Sequence, residues 1–223
     1  MNDAARAILF DLDGTLLDTA PDMVGALNDL RAVEGLEALP YGPLRAAVSH
    51  GAARLVRLGF PDADEARAQA LQRRYLEIYR TRLARQTRLF AGMDEVLEEL
   101  ARRRLAAGVV TNKPGWLTEP LLEELGIRGR FRCVVSGDTL AERKPHPLPL
   151  LHAARLAGVD AAQCLYVGDA RRDVEAARAA GMPALVAVYG YLGEDDDWRA
   201  WDPDGALEDP GQLIDWLDRG ARA

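Results

Sequence analysis

The chain has 223 residues, 48% of them hydrophobic and 28% charged, which is typical of a globular protein with one large domain or two modest ones. Its formal net charge of −7 argues against nucleic acid as the main partner. No stretch approaches the ~20 apolar residues that a membrane span requires. The beginning of the chain lacks a basic segment followed by an apolar signal region, so we expect a cytoplasmic protein.

The first predicted strand ends in a pair of carboxylates. Ile8–Phe10 is a short apolar run, and Asp11, Asp13 and Gly14 follow it. Because residues two apart on an extended chain project to the same face, both carboxylates are expected to point into one site at the carboxyl end of this strand. A calcium loop also begins with D-x-D, but Leu16 stands where that loop requires glycine. The sequence therefore favours a strand-end site over a calcium loop.

Apolar runs alternate with helical patterns through the second half of the chain. Strands are expected at Ala107–Val110, Cys133–Val135, Cys164–Val167 and Ala184–Val188. Helices are expected at Trp116–Leu125, Pro147–Ala157 and Arg172–Ala180, each followed by a glycine. Strand–helix alternation of this kind predicts an α/β protein with a parallel sheet.

Residues 16–89 differ from the rest of the chain because they contain no strand-like run. Apolar residues share helical faces there, and several glycines and prolines divide the segment into short helices. Asp62 with Glu65 resembles a capping box at the start of the last of these helices. We therefore expect a helical cap at 16–89, inserted into an α/β catalytic core formed by residues 1–15 and 90–223.

Only two of the 28 basic residues are lysines, Lys113 and Lys144, and the others are all arginines. Lysine carries a compact point charge with three rotatable donors, which the planar fork of arginine does not mimic. Both lysines stand at strand-edge or loop positions. We expect Lys144 to act at the reacting centre and Lys113 to lie beside the substrate.

The polar candidates stand at or just beyond predicted strand ends. They are carboxylates, a hydroxyl, an amide and a lysine: Asp11, Asp13, Thr111, Asn112, Lys144, Asp169 and Asp173. This set suits phosphoryl transfer through a carboxylate nucleophile and Mg²⁺, which takes oxygen ligands and typically one or two carboxylates, here Asp11 and Asp169. Lys144 and Mg²⁺ would offset the repulsion between nucleophile and phosphate. Asp13 is positioned to protonate the leaving oxygen and then to activate water.

These motifs, in this order, resemble those of the haloacid dehalogenase superfamily. The four that match are Asp11–Thr15 (D-x-D-G-T), Val109–Asn112, Lys144–Pro145 and Gly168–Asp173. The resemblance implies a Rossmann-like parallel core with a helical cap inserted after the first strand. It also implies phosphoester chemistry, because a dehalogenase does not use an acid at the position of Asp13.

The resemblance assigns a role to each motif residue. It implies Asp11 as the nucleophile and Asp13 as the general acid and base. Mg²⁺ would be held by the Asp11 side chain, the Asp13 backbone carbonyl and Asp169, with Asp173 supporting the site. The remaining roles concern the phosphoryl group, which Thr111 and Asn112 would hold and which Lys144 would bridge to Asp11.

Within the superfamily, the pattern is most similar to the phosphoglycolate phosphatase group, including its relative that hydrolyses N-acetylmuramic acid 6-phosphate in cell-wall recycling. Val48–Arg54 and Thr111–Pro114 carry this similarity. The implied partner is a small phosphorylated metabolite, and the protein is expected to be a monomer or a homodimer. Two alternatives stay open: a phosphotransferase resembling β-phosphoglucomutase, and a protein that binds phosphorylated metabolites without catalysis.

Substrate recognition is expected from the helical segment. His50 and Gly51 interrupt a helical pattern, and Arg54 lies one turn further along. Arg54 could pair bidentately with a substrate carboxylate, and His50 would stand beside it. A helix–helix turn with a solvent-exposed arginine explains the same pattern, so both interpretations stay open. Arg171 and Arg172 are expected to be exposed at the start of a helix.

Overall fold

The computed structural model of the protein describes residues 5–193 and 196–220. Its strands are β1 (Ala7–Phe10), β2 (Leu17–Asp18), β3 (Arg88–Leu89), β4 (Ala106–Val110), β5 (Cys133–Val135), β6 (Cys164–Gly168), β7 (Ala184–Ala187) and β8 (Gly205–Leu207). Its α-helices are α1 (Ala20–Val33), α2 (Tyr41–Arg45), α3 (Gly51–Gly59), α4 (Glu65–Arg80), α5 (Met93–Arg102), α6 (Gly115–Glu124), α7 (Leu148–Ala157), α8 (Arg171–Ala179) and α9 (Gln212–Gly220). Within the described residues, no helix combines the length and the apolar character needed to cross a membrane.

Six strands form one parallel sheet in the order β5-β4-β1-β6-β7-β8. In the register of the central strand, Phe10 lies level with Val109 on one side and Val167 on the other. All four residues of β1 are buried, as expected for a strand covered on both faces. The prediction of an α/β fold with a parallel sheet is confirmed. Because β1 is central, the residues that follow it lie in the middle of the carboxyl edge.

The elements of this sheet differ in detail from the prediction. The helices after β4, β5 and β6 begin or end one residue away from the expected bounds. Strand β8 adds a sixth strand beyond the five predicted, and helices α5 and α9 were not predicted either. The strand Gly205–Leu207 is too short to show a pattern, and only Leu207 is buried in it.

Four helices, α1 to α4, lie between β2 and β3. The expectation that residues 16–89 contain no strand is wrong in one respect, because Leu17 pairs with Leu89 and Asp18 with Arg88 in a short antiparallel ladder. Two-residue strands carry no detectable alternation, so only their pairing identifies them. The ladder joins the segment that leads into the four helices to the segment that leads out of them.

The N-cap of α4 lies two residues after the predicted one. Asp64, not Asp62, is its N-cap residue, and the Asp64 carboxylate accepts a hydrogen bond of 2.8 Å from the backbone N–H of Arg67. An aspartate at this position satisfies a backbone donor that the first helical turn leaves unpaired. The helix therefore begins at Glu65, which was expected to belong to the capping box.

A buried carboxylate ties α1 to the segment that follows α4. Asp22 is fully buried and accepts hydrogen bonds from the backbone N–H groups of Gln86 and Thr87, both at 2.8 Å, and from the Thr87 hydroxyl at 2.9 Å. Buried charged groups are stable only when they are paired or hydrogen-bonded in this way. These bonds fix how the four helices are attached to the sheet.

Candidate active site

The chain turns sharply after β1 and places two aspartates at the carboxyl edge of the sheet. Asp11 continues the strand by donating its N–H to the carbonyl of Val167 at 2.9 Å. Gly14 has a φ of +83°, and a Cβ atom there would lie 2.0 Å from Oδ2 of Asp169. Glycine is therefore required both for the backbone conformation and for the close approach of the turn to Asp169.

Asp11 is almost fully buried, and one of its carboxylate oxygens is firmly held. Oδ1 accepts a 2.7 Å hydrogen bond from the N–H of Leu12 and lies 2.9 Å from Nζ of Lys144. An Arg172 guanidinium nitrogen lies 3.8 Å from Oδ2. Burial works to raise the pKa of Asp11, but the nearby charges of Lys144 and Arg172 outweigh it and the pKa is lowered. Asp11 is thus an ionised carboxylate, with Oδ2 as its less engaged oxygen.

Lys144 has a fully buried side chain between two carboxylates. Its Nζ lies 2.9 Å from Asp11 Oδ1 and 2.7 Å from Asp173 Oδ1. The same ammonium donates to the carbonyl of Val110 and to the hydroxyl of Tyr166, both at 2.8 Å. This dense set of acceptors compensates the cost of burying the charge. Lys144 is therefore held against Asp11 and Asp173.

Asn112, which was expected to hold the phosphoryl group, lines the cavity, and its side chain contacts the backbone of Lys144. Its Nδ2 donates to the Lys144 carbonyl at 2.9 Å, and its Oδ1 accepts from the Lys144 N–H at 3.1 Å. The neighbouring Thr111 lines the cavity, and its hydroxyl oxygen accepts a 3.2 Å hydrogen bond from the N–H of Lys113. The Thr111 O–H therefore stays available as a donor to an anion, whereas the Asn112 amide holds the lysine loop in place.

Asp13 pairs with the second lysine of the chain. Its side chain is 16% exposed, and the Lys113 ammonium donates to Oδ1 at 2.8 Å and to Oδ2 at 3.1 Å. The hydroxyl of Thr19 donates to Oδ1 at 2.7 Å. Lys113 was expected to lie beside the substrate; it lines the cavity, but its side chain is 4% exposed and its ammonium contacts this carboxylate. Each lysine of the chain thus pairs with one aspartate of the D-x-D motif.

Three buried carboxylates form a group that suits a divalent cation. Asp11, Asp169 and Asp173 each offer an oxygen, and these oxygens lie within 4.8 Å of one another. Oδ2 of Asp169 accepts hydrogen bonds from the Ser49 hydroxyl and the Tyr191 N–H, whereas its buried Oδ1 has no hydrogen-bond partner among the residues that the structure describes. Burial, and then the charges of Asp11 and Asp173, raise the pKa of Asp169 to about 7. Clustered carboxylates with an unpaired buried oxygen fit a hard cation such as Mg²⁺.

Asp173 was expected only to support this site. Its Oδ1 contacts Lys144, and its Oδ2 accepts a 3.0 Å hydrogen bond from the N–H of Ala170. Burial raises its pKa despite the opposing charge of Lys144. Asp173 therefore holds the lysine and also contributes to the acidic group.

A cavity of about 380 Å³ lies between the carboxyl edge of the sheet and the four helices. Its sheet side is polar and is lined by Asp11, Asp13, Thr111, Lys113 and Arg172. Its helical side is mainly apolar and is lined by Met23, His50, Gln72, Leu76 and Tyr79. Enclosed pockets with apolar walls and a few convergent polar groups are typical of small-molecule sites.

The two recognition residues expected from the helical segment are placed differently. His50 borders the cavity, and burial followed by the charge of Arg172 lowers its pKa, which favours the neutral ring. Arg54 is exposed and does not line the cavity. Because Arg54 belongs to the outer face of α3, the structure does not bring it to the site.

Arg172 was predicted to be exposed at the start of a helix, and this prediction is wrong. Its side chain is 21% exposed, and it donates a 2.7 Å hydrogen bond to the carbonyl of Ser49 while facing Asp11. Ser49, Tyr79 and Tyr166 also contact the central groups and were not predicted as site residues. Ser49 lies in the Val48–Arg54 segment and Tyr166 in β6 just before the Gly168–Asp173 motif, but the sequence does not show which partners their side chains contact. Tyr79 reaches Lys113 from α4, 34 residues away.

The sequence profile of the haloacid dehalogenase-like hydrolase family matches residues 8–187. The chain therefore belongs to this family, and the resemblance inferred from the motifs is confirmed. The predicted enzyme class, a phosphatase, is confirmed as well.

Two relatives and one solved structure are similar to this chain over most of its length. The chain is 47% identical over 208 residues to a phosphoglycolate phosphatase of Xanthomonas campestris pv. campestris (strain 8004), covering 93% of this chain and 94% of that one. It is 38% identical over 215 residues to an N-acetylmuramic acid 6-phosphate phosphatase of Pseudomonas aeruginosa, covering 96% and 95%. The fold matches the crystal structure of a predicted phosphoglycolate phosphatase from Haemophilus somnus 129PT with a TM-score of 0.84, 28% identity and coverage of 95% and 97%.

Proposed function

We propose that the protein is a Mg²⁺-dependent phosphomonoester hydrolase that works through an aspartyl-phosphate on Asp11. The observation that carries this proposal is the pairing at the carboxyl edge of the sheet, where Lys144 contacts Asp11 at 2.9 Å and Lys113 contacts Asp13 at 2.8 Å. Two adjacent carboxylates with separate partners can take separate roles, one as nucleophile and one as acid and base.

The first half-reaction uses the less engaged oxygen of Asp11. Oδ1 is held by Leu12 and Lys144, so Oδ2 forms the bond to phosphorus while the bond from phosphorus to the ester oxygen breaks. Asp13 gives a proton to the departing oxygen, and the product is an alcohol. In the second half-reaction Asp13 takes a proton from water, whose oxygen attacks the same phosphorus and releases phosphate from Asp11.

The surrounding residues stabilise the charge of the transferring group. Lys144 offsets the repulsion between carboxylate and phosphate, and the Thr111 hydroxyl can donate to a phosphoryl oxygen. Asp11, Asp169 and the Asp13 carbonyl would hold Mg²⁺, with Asp173 beside them. When bound there, Mg²⁺ supplies the positive charge that lets an anionic nucleophile approach an anionic phosphate.

We propose that residues 16–89 act as a cap over a catalytic core made of residues 1–15 and 90–223. The helical side of the cavity supports this division, because it supplies Met23, Gln72, Leu76 and Tyr79 opposite the polar edge of the sheet. The core groups contact only features that all phosphomonoesters share. Selection among substrates therefore belongs to the cap, which also excludes water until the site is assembled.

The substrate that we propose is a phosphomonoester that carries a carboxylate, either 2-phosphoglycolate or N-acetylmuramic acid 6-phosphate. The relatives named above support both, and each molecule has a carboxylate that a cation can bind. Arg172 and Arg143 line the cavity and are cations of the required kind.

A phosphate-release assay on the purified protein tests this proposal. We expect hydrolysis of both carboxylated phosphates and of 4-nitrophenyl phosphate with Mg²⁺, and loss of all three activities with EDTA. The ratio of kcat/KM for the two carboxylated substrates identifies the preferred one. Activity that persists in EDTA, or no hydrolysis of any phosphomonoester, would contradict the proposal.

A further inference from the structure

The ammonium group of Lys113 uses all of its donors on protein atoms. An ammonium has three N–H groups and no acceptor. In Lys113 they reach Asp13 Oδ1 at 2.8 Å, Asp13 Oδ2 at 3.1 Å and the hydroxyl of Tyr79 at 3.0 Å. No donor is left over for a phosphoryl oxygen. The donors of Lys144 are also used on protein atoms, but one of their acceptors is Asp11, whereas those of Lys113 are Asp13 and Tyr79.

Hydrogen bonds of the Lys113 backbone fix the position from which its side chain extends. Its carbonyl accepts a 2.8 Å hydrogen bond from the N–H of Gly137, and its own N–H donates to the hydroxyl of Thr111 at 3.2 Å. The side chain is 4% exposed, so few alternative positions are open to the ammonium. The base of the side chain is thus anchored in the core.

The third acceptor of the Lys113 ammonium, the Tyr79 hydroxyl, belongs to the helical segment. Tyr79 belongs to α4, is 1% exposed, and its ring stacks on that of Tyr75 with centroids 6.3 Å apart. Tyr75 in turn donates its hydroxyl to the carbonyl of Met23 in α1 at 3.2 Å. The position of the Tyr79 hydroxyl therefore depends on how α4 and α1 lie over the sheet edge.

The two oxygens of Asp13 are held unequally. Oδ1 receives the Thr19 hydroxyl at 2.7 Å and the shorter Lys113 contact at 2.8 Å. Oδ2 receives only the longer Lys113 contact at 3.1 Å. Oδ2 is thus the less engaged oxygen within the described residues and the one better able to exchange a proton, while Oδ1 fixes the orientation of the group.

We propose that Lys113 is a positioning residue for Asp13, and that Tyr79 makes this positioning depend on the placement of α4. Lys113 and Thr19 hold Oδ1 so that Oδ2 gives its proton to the departing ester oxygen. Tyr79 supplies the contact through which the helical segment completes the arrangement. The inference rests on the proposed function, because it assumes that Asp13 is the acid.

The leaving group of the substrate distinguishes this role from phosphoryl binding. An alkoxide leaves only when it is protonated, whereas 4-nitrophenolate leaves without a proton. The ratio kcat/KM reports transition-state stabilisation relative to free enzyme and substrate, up to release of the first product. A displaced Asp13 should therefore lower kcat/KM for an alkyl phosphate and spare the aryl phosphate. Loss of a phosphoryl ligand should lower both.

The experiment compares Lys113→Met, Lys113→Arg and Tyr79→Phe with wild type on 2-phosphoglycolate and 4-nitrophenyl phosphate. N-acetylmuramic acid 6-phosphate replaces the first substrate if wild type prefers it. We expect Lys113→Met to lose about 30-fold or more in kcat/KM on the alkyl phosphate and about 3-fold or less on the aryl phosphate. Tyr79→Phe keeps the ring and should show the same selective loss at about 3-fold, with Lys113→Arg between the two.

Asp13→Asn is the reference variant, and its ratio of alkyl to aryl losses should match that of Lys113→Met. Equal losses on both substrates, or no loss on either, would overturn the inference. If Lys113→Met does not fold, Tyr79→Phe decides by the same ratio, since it removes one oxygen only. A wild-type protein that hydrolyses neither substrate would instead contradict the proposed function.

Discussion

Charged residues are arranged in opposite ways at the sheet edge and on the helical segment. At the sheet edge, Lys144 is fully buried and contacts both Asp11 and Asp173. On the helical segment, Arg67 and Arg74 pair with Glu34, and these arginine side chains are 50% and 43% exposed. Removing one partner of a buried pair leaves a buried charge uncompensated, whereas exposed pairs contribute little. The comparison indicates that loss of Lys144 should cost far more stability than loss of Arg67 or Arg74. The buried carboxylate of the helical segment, Asp22, is held by backbone N–H groups and a hydroxyl.

Lys144→Met should produce the largest effect of the substitutions that test this comparison. We expect the free energy of unfolding to fall by about 3–5 kcal/mol, because two buried carboxylates lose their cation. We also expect kcat/KM to fall at least ~100-fold on every phosphomonoester, on the order of 3 kcal/mol of transition-state stabilisation. Urea unfolding and steady-state kinetics measure the two quantities.

Arg74→Ala is the matched control on the helical segment. Its side chain is 43% exposed, and Glu34, which is 16% exposed, keeps Arg67 as a second partner, so we expect a stability change of about 1 kcal/mol or less and unchanged kinetics. Equal destabilisation by Lys144→Met and Arg74→Ala would show that burial does not separate the two kinds of pair.

Gln72→Ala should have a smaller effect that depends on the substrate. Gln72 lines the cavity from α4, on the side opposite the carboxyl edge of the sheet. We therefore expect it to meet the sugar of a large substrate and not the phosphoryl group. Loss of one neutral hydrogen bond corresponds to up to about 10-fold in kcat/KM for N-acetylmuramic acid 6-phosphate. Hydrolysis of 4-nitrophenyl phosphate should stay nearly unchanged. Parallel losses on both substrates would mean that Gln72 supports folding of the helices.

Arg54→Ala should have the smallest effect. The structure places Arg54 outside the cavity, so we expect kcat/KM to change by less than about 2-fold on carboxylated and aryl phosphates alike. A selective loss on carboxylated substrates would restore the sequence-based hypothesis that this arginine binds the substrate carboxylate.

The central strand and its carboxylates could be predicted because their signals are local. A buried apolar run followed by Asp11 and Asp13 defines both the strand and the edge at which the two side chains lie. The scarcity of lysine was also informative, since both ammonium groups are buried at this edge. The groups that the two ammonium groups contact were not predictable in the same way. Whether Lys113 contacts the substrate or Asp13 depends in part on Tyr79, which is 34 residues away in sequence.

Residues that reach the site from other elements could not be found from sequence patterns. Arg172 stands in an ordinary helix start, and its contact with the Ser49 carbonyl spans 123 residues. Thr111 and Asn112 both follow the end of β4, yet the Asn112 amide binds the backbone of Lys144. Short ladders such as Leu17 with Leu89 are equally hidden, because pairing alone defines them. Tertiary packing decides these positions, and a single sequence records it only indirectly.

The most direct test of the account is to trap the covalent intermediate on Asp11. Borohydride reduces an acyl phosphate to an alcohol, so treatment during turnover should convert the phosphorylated aspartate to homoserine. Peptide mass spectrometry then locates the modified residue. We expect homoserine at position 11 in wild type, dependent on substrate and Mg²⁺, and none in Asp11→Asn. Homoserine at Asp13 or Asp169, or unimpaired turnover by Asp11→Asn, would contradict the account.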